Sequence, residues 1–301
     1  MPAHHVGQPD GGRWRCSSQS RSTPVPSLEA IMAVQLIAIQ DAELELSDWG
    51  SGEPVVFVQT ALTADELLPL ANEPALEDGY RKILYHRRGY AGSSPVGGPG
   101  SITGDAADCR ALLAAMGIAR AHVVGVSYSG AIGLQLGADA PECTHSLILL
   151  EPPPVHTPSG PEFRAANDHL RRIRRERGPA VALEEFLTIL IGPDWRKDFE
   201  VTLPGAAAQM EHDAATFFDA DMPALLDWRF GPAEAGRISC PVLHIAGSDS
   251  GPMFAGVREL MLGWLPHAED VVIDGADHSL ATTHSSQVAD AVVAFLRSHP
   301  M

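Results

Sequence analysis

The sequence predicts an α/β fold: a mostly parallel eight-stranded sheet with helices on both faces and a helical cap inserted after the sixth strand. Three observations predict it. Short apolar runs alternate with helical patterns from residue 34 onward, several of those runs are continuously apolar, and residues 152–230 carry helical patterns alone. Continuous apolar runs are what strands buried on both faces require, and their alternation with helices implies a parallel sheet covered on both sides.

Residues 1–32 are rich in Ser, Pro, Gly, Arg and His and read as a disordered tail, with Met32 as a second candidate start. Val34–Ile39 and residues 42–48 read as antiparallel strands joined at Gln40-Asp41, and Gly50-Ser51-Gly52 breaks the pattern. Residues 54–58 and 82–86 are strand candidates, and residues 92–100 form a Gly/Pro/Ser loop. Residues 103–116 then have helical spacing, with Gly117 as the stop. A strand at 122–126, a helix at 128–140 ended by Pro141, and a strand at 145–150 follow. The chain then runs into Glu151-Pro152-Pro153-Pro154.

Helical patterns at 162–177, at 180–191 and in pieces between 205 and 228 make up the cap. Arg171, Arg172, Arg174, Arg175 and Arg177 within it read as a solvated helix face. Strands at 242–246 and 270–273 and helices at 254–262 and 285–297 complete the pattern. The expected organisation is therefore a tail at 1–32, a core at 33–151 and 232–301, and a cap at 152–231.

The chain has 301 residues, 45% hydrophobic, enough for one large core. Its net charge of −17 argues against nucleic acid and anionic membrane as partners. No run approaches the roughly 18 apolar residues of a membrane span. Cys16, Cys109, Cys143 and Cys240 are scattered without a CxxC pair, which suits reduced thiols and a cytoplasmic location. No HExxH, clustered carboxylates, GxGxxG after a strand or phosphate-binding GxxxxGK[ST] occurs, so neither a metal nor a nucleotide cofactor is implied. The expected partner is a small-molecule substrate, and a homodimer is compatible with the sequence.

The chemistry centres on Gly125-Val126-Ser127-Tyr128-Ser129, which follows a strand and opens a helix. Such a turn projects a nucleophile when small residues two before and two after let strand and helix approach. Gly125 and Ser129 hold those positions. A serine nucleophile needs a base. His278 follows the last strand in Asp274-Gly275-Ala276-Asp277-His278, and His284 reads as surface or helix start.

With these motifs the chain resembles the α/β-hydrolase fold superfamily, in the serine-nucleophile branch with a helical cap. The resemblance rests on residues 54–58, His86-Arg87-Arg88-Gly89-Tyr90-Ala91-Gly92-Ser93, the Gly125–Ser129 elbow, residues 241–249 and residues 275–278. It implies a triad acid at one of two places. Asp249, in Ala246-Gly247-Ser248-Asp249-Ser250, stands after the seventh strand, one residue earlier than is usual; Glu151 stands after the sixth, the arrangement of haloalkane dehalogenases. Asp249 is the first choice and Glu151 the alternative; Glu151 is otherwise a hinge carboxylate bonded to nearby backbone.

The resemblance also implies an oxyanion hole after the third strand, where the family has His-Gly and this chain has Gln59-Thr60. By position, the N–H groups of Ala61 and Tyr128 are the donors, and the Thr60 hydroxyl or the Gln59 amide can add another. Arg87 and Arg88 are expected to fix loops. Trp195, Phe199, Phe217, Phe218 and Trp228 either line a pocket or pack the cap on the sheet. The implied activity is a cofactor-free serine hydrolase acting on a small apolar ester, thioester, lactone or related carbonyl compound. A lyase, C–C hydrolase or perhydrolase on the same fold, or a ligand-binding protein with a relic triad, is the alternative.

Overall fold

The computed structural model describes residues 34–301. The tail expected at 1–32, the second start at Met32 and Cys16 lie outside the described residues. Eight strands form one sheet: β1 (Val34–Ile39), β2 (Ala42–Gly50), β3 (Glu53–Val58), β4 (Tyr80–Tyr85), β5 (Ala121–Val126), β6 (Thr144–Leu150), β7 (Val242–Gly247) and β8 (Glu269–Ile273). Their spatial order is β1-β2-β4-β3-β5-β6-β7-β8. β2 pairs antiparallel with β1 and β4, and the remaining pairings are parallel.

The central strands are largely apolar because each of their faces is covered. Side chains alternate across a strand. Val56, Val58, Val123, Leu147 and Leu149 thus join one core, with Leu112 and Leu113 of α2 (Ile102–Ala115) and Ile132 of α3 (Tyr128–Asp139). Val55, Phe57, Val124, Val126, Ile148 and Leu150 join the other, with Val288 and Val292 of the C-terminal helix (Ser285–Ser298). Each such buried side chain contributes roughly 1.5–3 kcal/mol. β5 is buried along its whole length.

From β3 the chain winds outward to β4 on one side, then returns to place β5 on the other. That reversal opens a crevice beyond the carboxyl ends of β3 and β5, the place where ligands bind in open α/β sheets. The loop at Gln59 leaves one end and Ser127 leaves the other.

Between β6 and β7 the chain forms α4 (Gly160–Arg177), α5 (Pro179–Leu190), α6 (Trp195–Thr202), α7 (Ala206–Thr216), a π-helical turn (Phe217–Asp221) and α8 (Met222–Asp227). These helices have a core of their own, including Leu170, Ile173, Leu187, Trp195, Met210 and Phe218. Leu170 and Ile173 are the inward face of α4, while Arg172, Arg175 and Arg177 are exposed and Arg174 pairs with Asp219 at 2.8 Å.

The sequence pattern has no element for residues 59–79. There the structure has α1 (Leu68–Ala71) and a 3-10 turn at Pro74–Leu76, both shorter than the helical period needs to show itself. Cys109, Cys143 and Cys240 are buried free thiols. No helix among the described residues is long and apolar enough to cross a membrane.

Candidate active site

Ser127 sits on the turn from β5 to α3 with φ 50° and ψ −117°, a conformation non-glycine residues avoid. Holding a residue there costs about 1–3 kcal/mol, so the surroundings must impose it. They do. The Ser127 N–H donates to Leu150 O at 2.9 Å, and Ser127 O accepts from Gly130 N–H at 2.9 Å. A Cβ on residue 125 would lie 2.4 Å from Ser129 O, so only glycine lets strand and helix come this close. Ser129, where the family prefers glycine, is fully buried and uses its hydroxyl locally. It accepts from Val126 N–H at 2.9 Å and donates to Val126 O at 3.0 Å. Ser127 opens a twelve-residue helix, whose N-terminus favours developing negative charge.

His278 follows β8 on a turn that Gly275 permits at φ 71°. Its ring stacks on Phe254 of α10 (Gly251–Trp264), with centroids 4.0 Å apart and planes 19° apart. (The single-turn helix α9, Pro232–Ala235, and then β7 lie between α8 and α10.) His278 Nδ1 lies 2.7 Å from Glu151 Oε2.

Glu151 is 1% exposed and leaves β6 with φ 43°, a second strained non-glycine backbone. Its N–H donates to Ile245 O at 3.1 Å and its Oε1 accepts from Gly247 N–H at 2.8 Å. Burial pushes the Glu151 carboxyl up, but the His278 ring and the Gly247 N–H outweigh it and hold it below the usual value.

Asp249, the first choice from sequence, does not reach His278. It is exposed; its carboxylate accepts from the Ser248 hydroxyl at 2.9 Å, and its N–H donates to Ala276 O at 2.8 Å. The Glu151 side chain bonds the Gly247 N–H at the end of β7, so the carboxylate beside His278 comes from β6. His284 caps the last helix, as expected of a helix start.

Thr60, Ala61, Tyr128, Ser127 and His278 line one cavity. No hydrogen bond links the Ser127 hydroxyl to His278 among the described residues, a looseness common before substrate tightens such pairs. The Ala61 N–H has no partner among the described residues, and the Tyr128 N–H is one of the free donors at a helix start. The Thr60 hydroxyl is a correction: it donates to Val126 O at 2.9 Å and so tethers the loop to the elbow instead of facing a ligand. Gln59 does not line the cavity: its amide oxygen accepts from Arg87 N–H at 2.7 Å, and its buried Nε2 has no hydrogen-bond partner among the described residues. Leu62 takes φ 68° in a tight turn closed by Thr63 N–H to Ala61 O at 2.8 Å.

Arg87 fixes this loop, as expected. It donates to Gln59 O at 3.1 Å and Thr60 O at 3.3 Å, lies 4.4 Å from the Tyr128 ring centre, and pairs with Asp221 at 2.6 Å and Asp105 at 3.1 Å. Tyr90 donates to Asp221 at 2.5 Å and accepts from Leu62 N–H at 3.0 Å. Asp221 ends the π-helical turn, so one buried cation ties both proposed donors to the inserted helices. Its partners were not legible because Asp221 lies 134 residues away in sequence.

The cavity measures about 150 Å³ and is mostly apolar. That is the size of a void that takes benzene. Of the aromatic candidates, Phe199 and Phe217 line it; Trp195 and Phe218 pack inside the inserted helices, and Trp228 packs on the main core with its Nε1–H donating to Gln135 at 2.8 Å. Sequence reasoning missed Glu66, which also lines the cavity, in a segment with no periodic pattern. Burial pushes its carboxyl up to about 7, with His278 pulling the other way. No group of three or more His, Cys, Asp or Glu placed to hold a metal occurs among the described residues.

The model of the alpha/beta hydrolase family matches residues 47–291. RutD of Stutzerimonas stutzeri, a proposed carbamate hydrolase, is 26% identical over 238 residues, covering 77% of this chain and 87% of that protein. The enol-lactonase of Burkholderia xenovorans LB400 superposes with a TM-score of 0.74 at 22% identity, over 87% of this chain and all of the other. A thermophilic esterase from Thermogutta terrifontis superposes with a TM-score of 0.72 at 22% identity, over 89% and 100%. At those identities the two structures speak for the fold.

Proposed function

Because this chain belongs to the alpha/beta hydrolase family, we propose that it is a cofactor-free serine hydrolase working through an acyl-enzyme. Its substrate class is a small apolar ester, thioester, lactone or related carbonyl compound. The observation that carries this is the 2.7 Å contact between His278 and Glu151 in a residue pair whose histidine shares a cavity with a strained Ser127.

With its proton on Nδ1, His278 donates to Glu151 and leaves Nε2 as the base. The Ser127 Oγ attacks the carbonyl carbon while its proton passes to Nε2. The Ala61 and Tyr128 N–H groups receive the negative oxygen. Collapse expels the leaving group, which takes the proton back from His278, and the acyl group stays on Ser127. Water, deprotonated by the same nitrogen, then releases the acid. Glu151 stays ionised throughout because its carboxyl is held low, and so stabilises the imidazolium. Removing one oxyanion donor in such a site costs about 3–4 kcal/mol, which is why the buried Arg87 anchor matters.

RutD is named for the hydrolysis of a carbamate, itself a carbonyl compound, so a carbamate belongs among the compounds to try. The test is pre-steady-state turnover of short p-nitrophenyl esters. An acyl-enzyme gives a burst of nitrophenol that scales with enzyme, absent in Ser127→Ala. Turnover by Ser127→Ala equal to that of the wild type would overturn the proposal.

A further inference from the structure

The cavity at Ser127 holds one carboxyl group without a partner. Glu66 makes no hydrogen bond or ion pair among the described residues, although it lines the same cavity as Ser127 and His278. Its neighbours on the loop are engaged: Asp65 pairs with His86 at 3.0 Å, and the Thr63 hydroxyl donates to the Met210 sulfur at 3.4 Å. Glu66 is half-buried and its carboxylate is not sealed from the cavity, so a bound group can supply the partner that the protein does not. No lysine or arginine among the described residues lines the cavity. What does line it is a set of five phenylalanines, Phe163, Phe186, Phe199, Phe217 and Phe254. Aromatic faces attract ammonium groups, and strongly so when water is excluded. A net charge of −17 also draws cations toward the protein.

We infer that Glu66 is a cation subsite, and that the substrate carries a protonated amine on an otherwise apolar chain. This deepens the serine-hydrolase reading and rests on it for the word substrate. The ammonium pairs with the Glu66 carboxylate, its carbon chain lies among the phenylalanines, and its carbonyl faces Ser127. With the cation absent, burial holds the Glu66 carboxyl at about 7, so a bound ammonium also keeps it ionised. The titratable group that acts on it is His278, which lines the same cavity.

Calorimetry with hexylammonium and 1-hexanol reads the subsite without needing turnover. At pH 8 the wild type binds hexylammonium at least tenfold tighter than hexanol; the preference shrinks toward pH 6 as Glu66 protonates, and Glu66→Gln loses it. In parallel, the ratio of kcat/KM for p-nitrophenyl 6-aminohexanoate over p-nitrophenyl heptanoate falls about tenfold from wild type to Glu66→Gln. Equal binding of amine and alcohol by the wild type, or a preference that survives in Glu66→Gln, overturns the inference. So does tighter binding of hexanoate than of hexylammonium at pH 6, since Glu66 would then serve as a neutral donor to an anion. A fluorophosphonate label on Ser127 separates the two claims. Labelling without the amine preference removes the cation subsite alone, and the preference without labelling removes the serine mechanism alone.

Discussion

Glu151 reaches His278 from the end of β6, with its carboxylate 2.7 Å from the ring nitrogen and anchored by the Gly247 N–H at the end of β7. Ser127 and Glu151 therefore sit on strained turns at the ends of adjacent strands, joined by Ser127 N–H to Leu150 O. Glu151→Gln is expected to lower kcat by about 10³–10⁴-fold, because the ring loses its fixed tautomer and its counter-charge. Asp249→Asn should stay within about twofold of wild type. Steady-state kinetics of the two variants on one ester decides between them, and the opposite ranking would return the acid to β7.

The elbow depends on Gly125 in a way that a surface-helix glycine such as Gly263 does not share. Gly125→Ala places a methyl group 2.4 Å from Ser129 O, against backbone that cannot yield. Thermal unfolding should show a loss of about 1–3 kcal/mol or more. Gly263→Ala, in α10 with nothing within 4 Å of the new Cβ, should instead stabilise by about 1 kcal/mol.

Much of this was legible in the sequence. The order of strands, the elbow and His278 follow from local patterns: apolar runs, small residues around Ser127, a glycine turn after the last strand. The carboxylate beside His278 was not, since both Asp249 and Glu151 follow strands and only the reach of each side chain to the ring separates them. The Thr60 hydroxyl misled for a similar reason: its bond to Val126 O links residues 66 apart. Glu66 gave no signal at all, because a lone carboxylate in an aperiodic loop looks like any surface acid until the cavity closes around it.

Arg87 links the Gln59-Thr60 loop to the inserted helices through Asp221, and both residues are 2% exposed. Arg87→Met leaves a buried carboxylate unpaired, and should cost about 3–5 kcal/mol in denaturant unfolding. Adding Asp221→Asn should recover part of that stability without recovering kcat, because the Gln59 and Thr60 carbonyls still lack their anchor. Full recovery of kcat in the double variant would show that Arg87 serves the fold alone.

His86 gives a pH dependence whose sign is fixed by its partners. Burial would lower its pKa, but Asp65 at 3.0 Å and Glu45 at 2.9 Å raise it to about 9. A histidine raised from an unfolded value near 6.5 stabilises the fold fully below about pH 6.5 and loses that contribution as pH rises through about 9. The stability gap between wild type and His86→Gln, on the order of 2 kcal/mol at pH 6, should therefore narrow by pH 9.5. Denaturant midpoints across that range measure it; a gap independent of pH would mean that folding does not raise the pKa of the ring.

The claim on which the rest depends is that Ser127 is an activated nucleophile served by His278 and Glu151. Mass spectrometry after treatment with a fluorophosphonate tests it most directly. The account predicts one adduct per chain, on the peptide containing Ser127, formed quickly by wild type, far more slowly by Glu151→Gln and not at all by Ser127→Ala. An adduct on another residue, or equal labelling of wild type and Ser127→Ala, would contradict it.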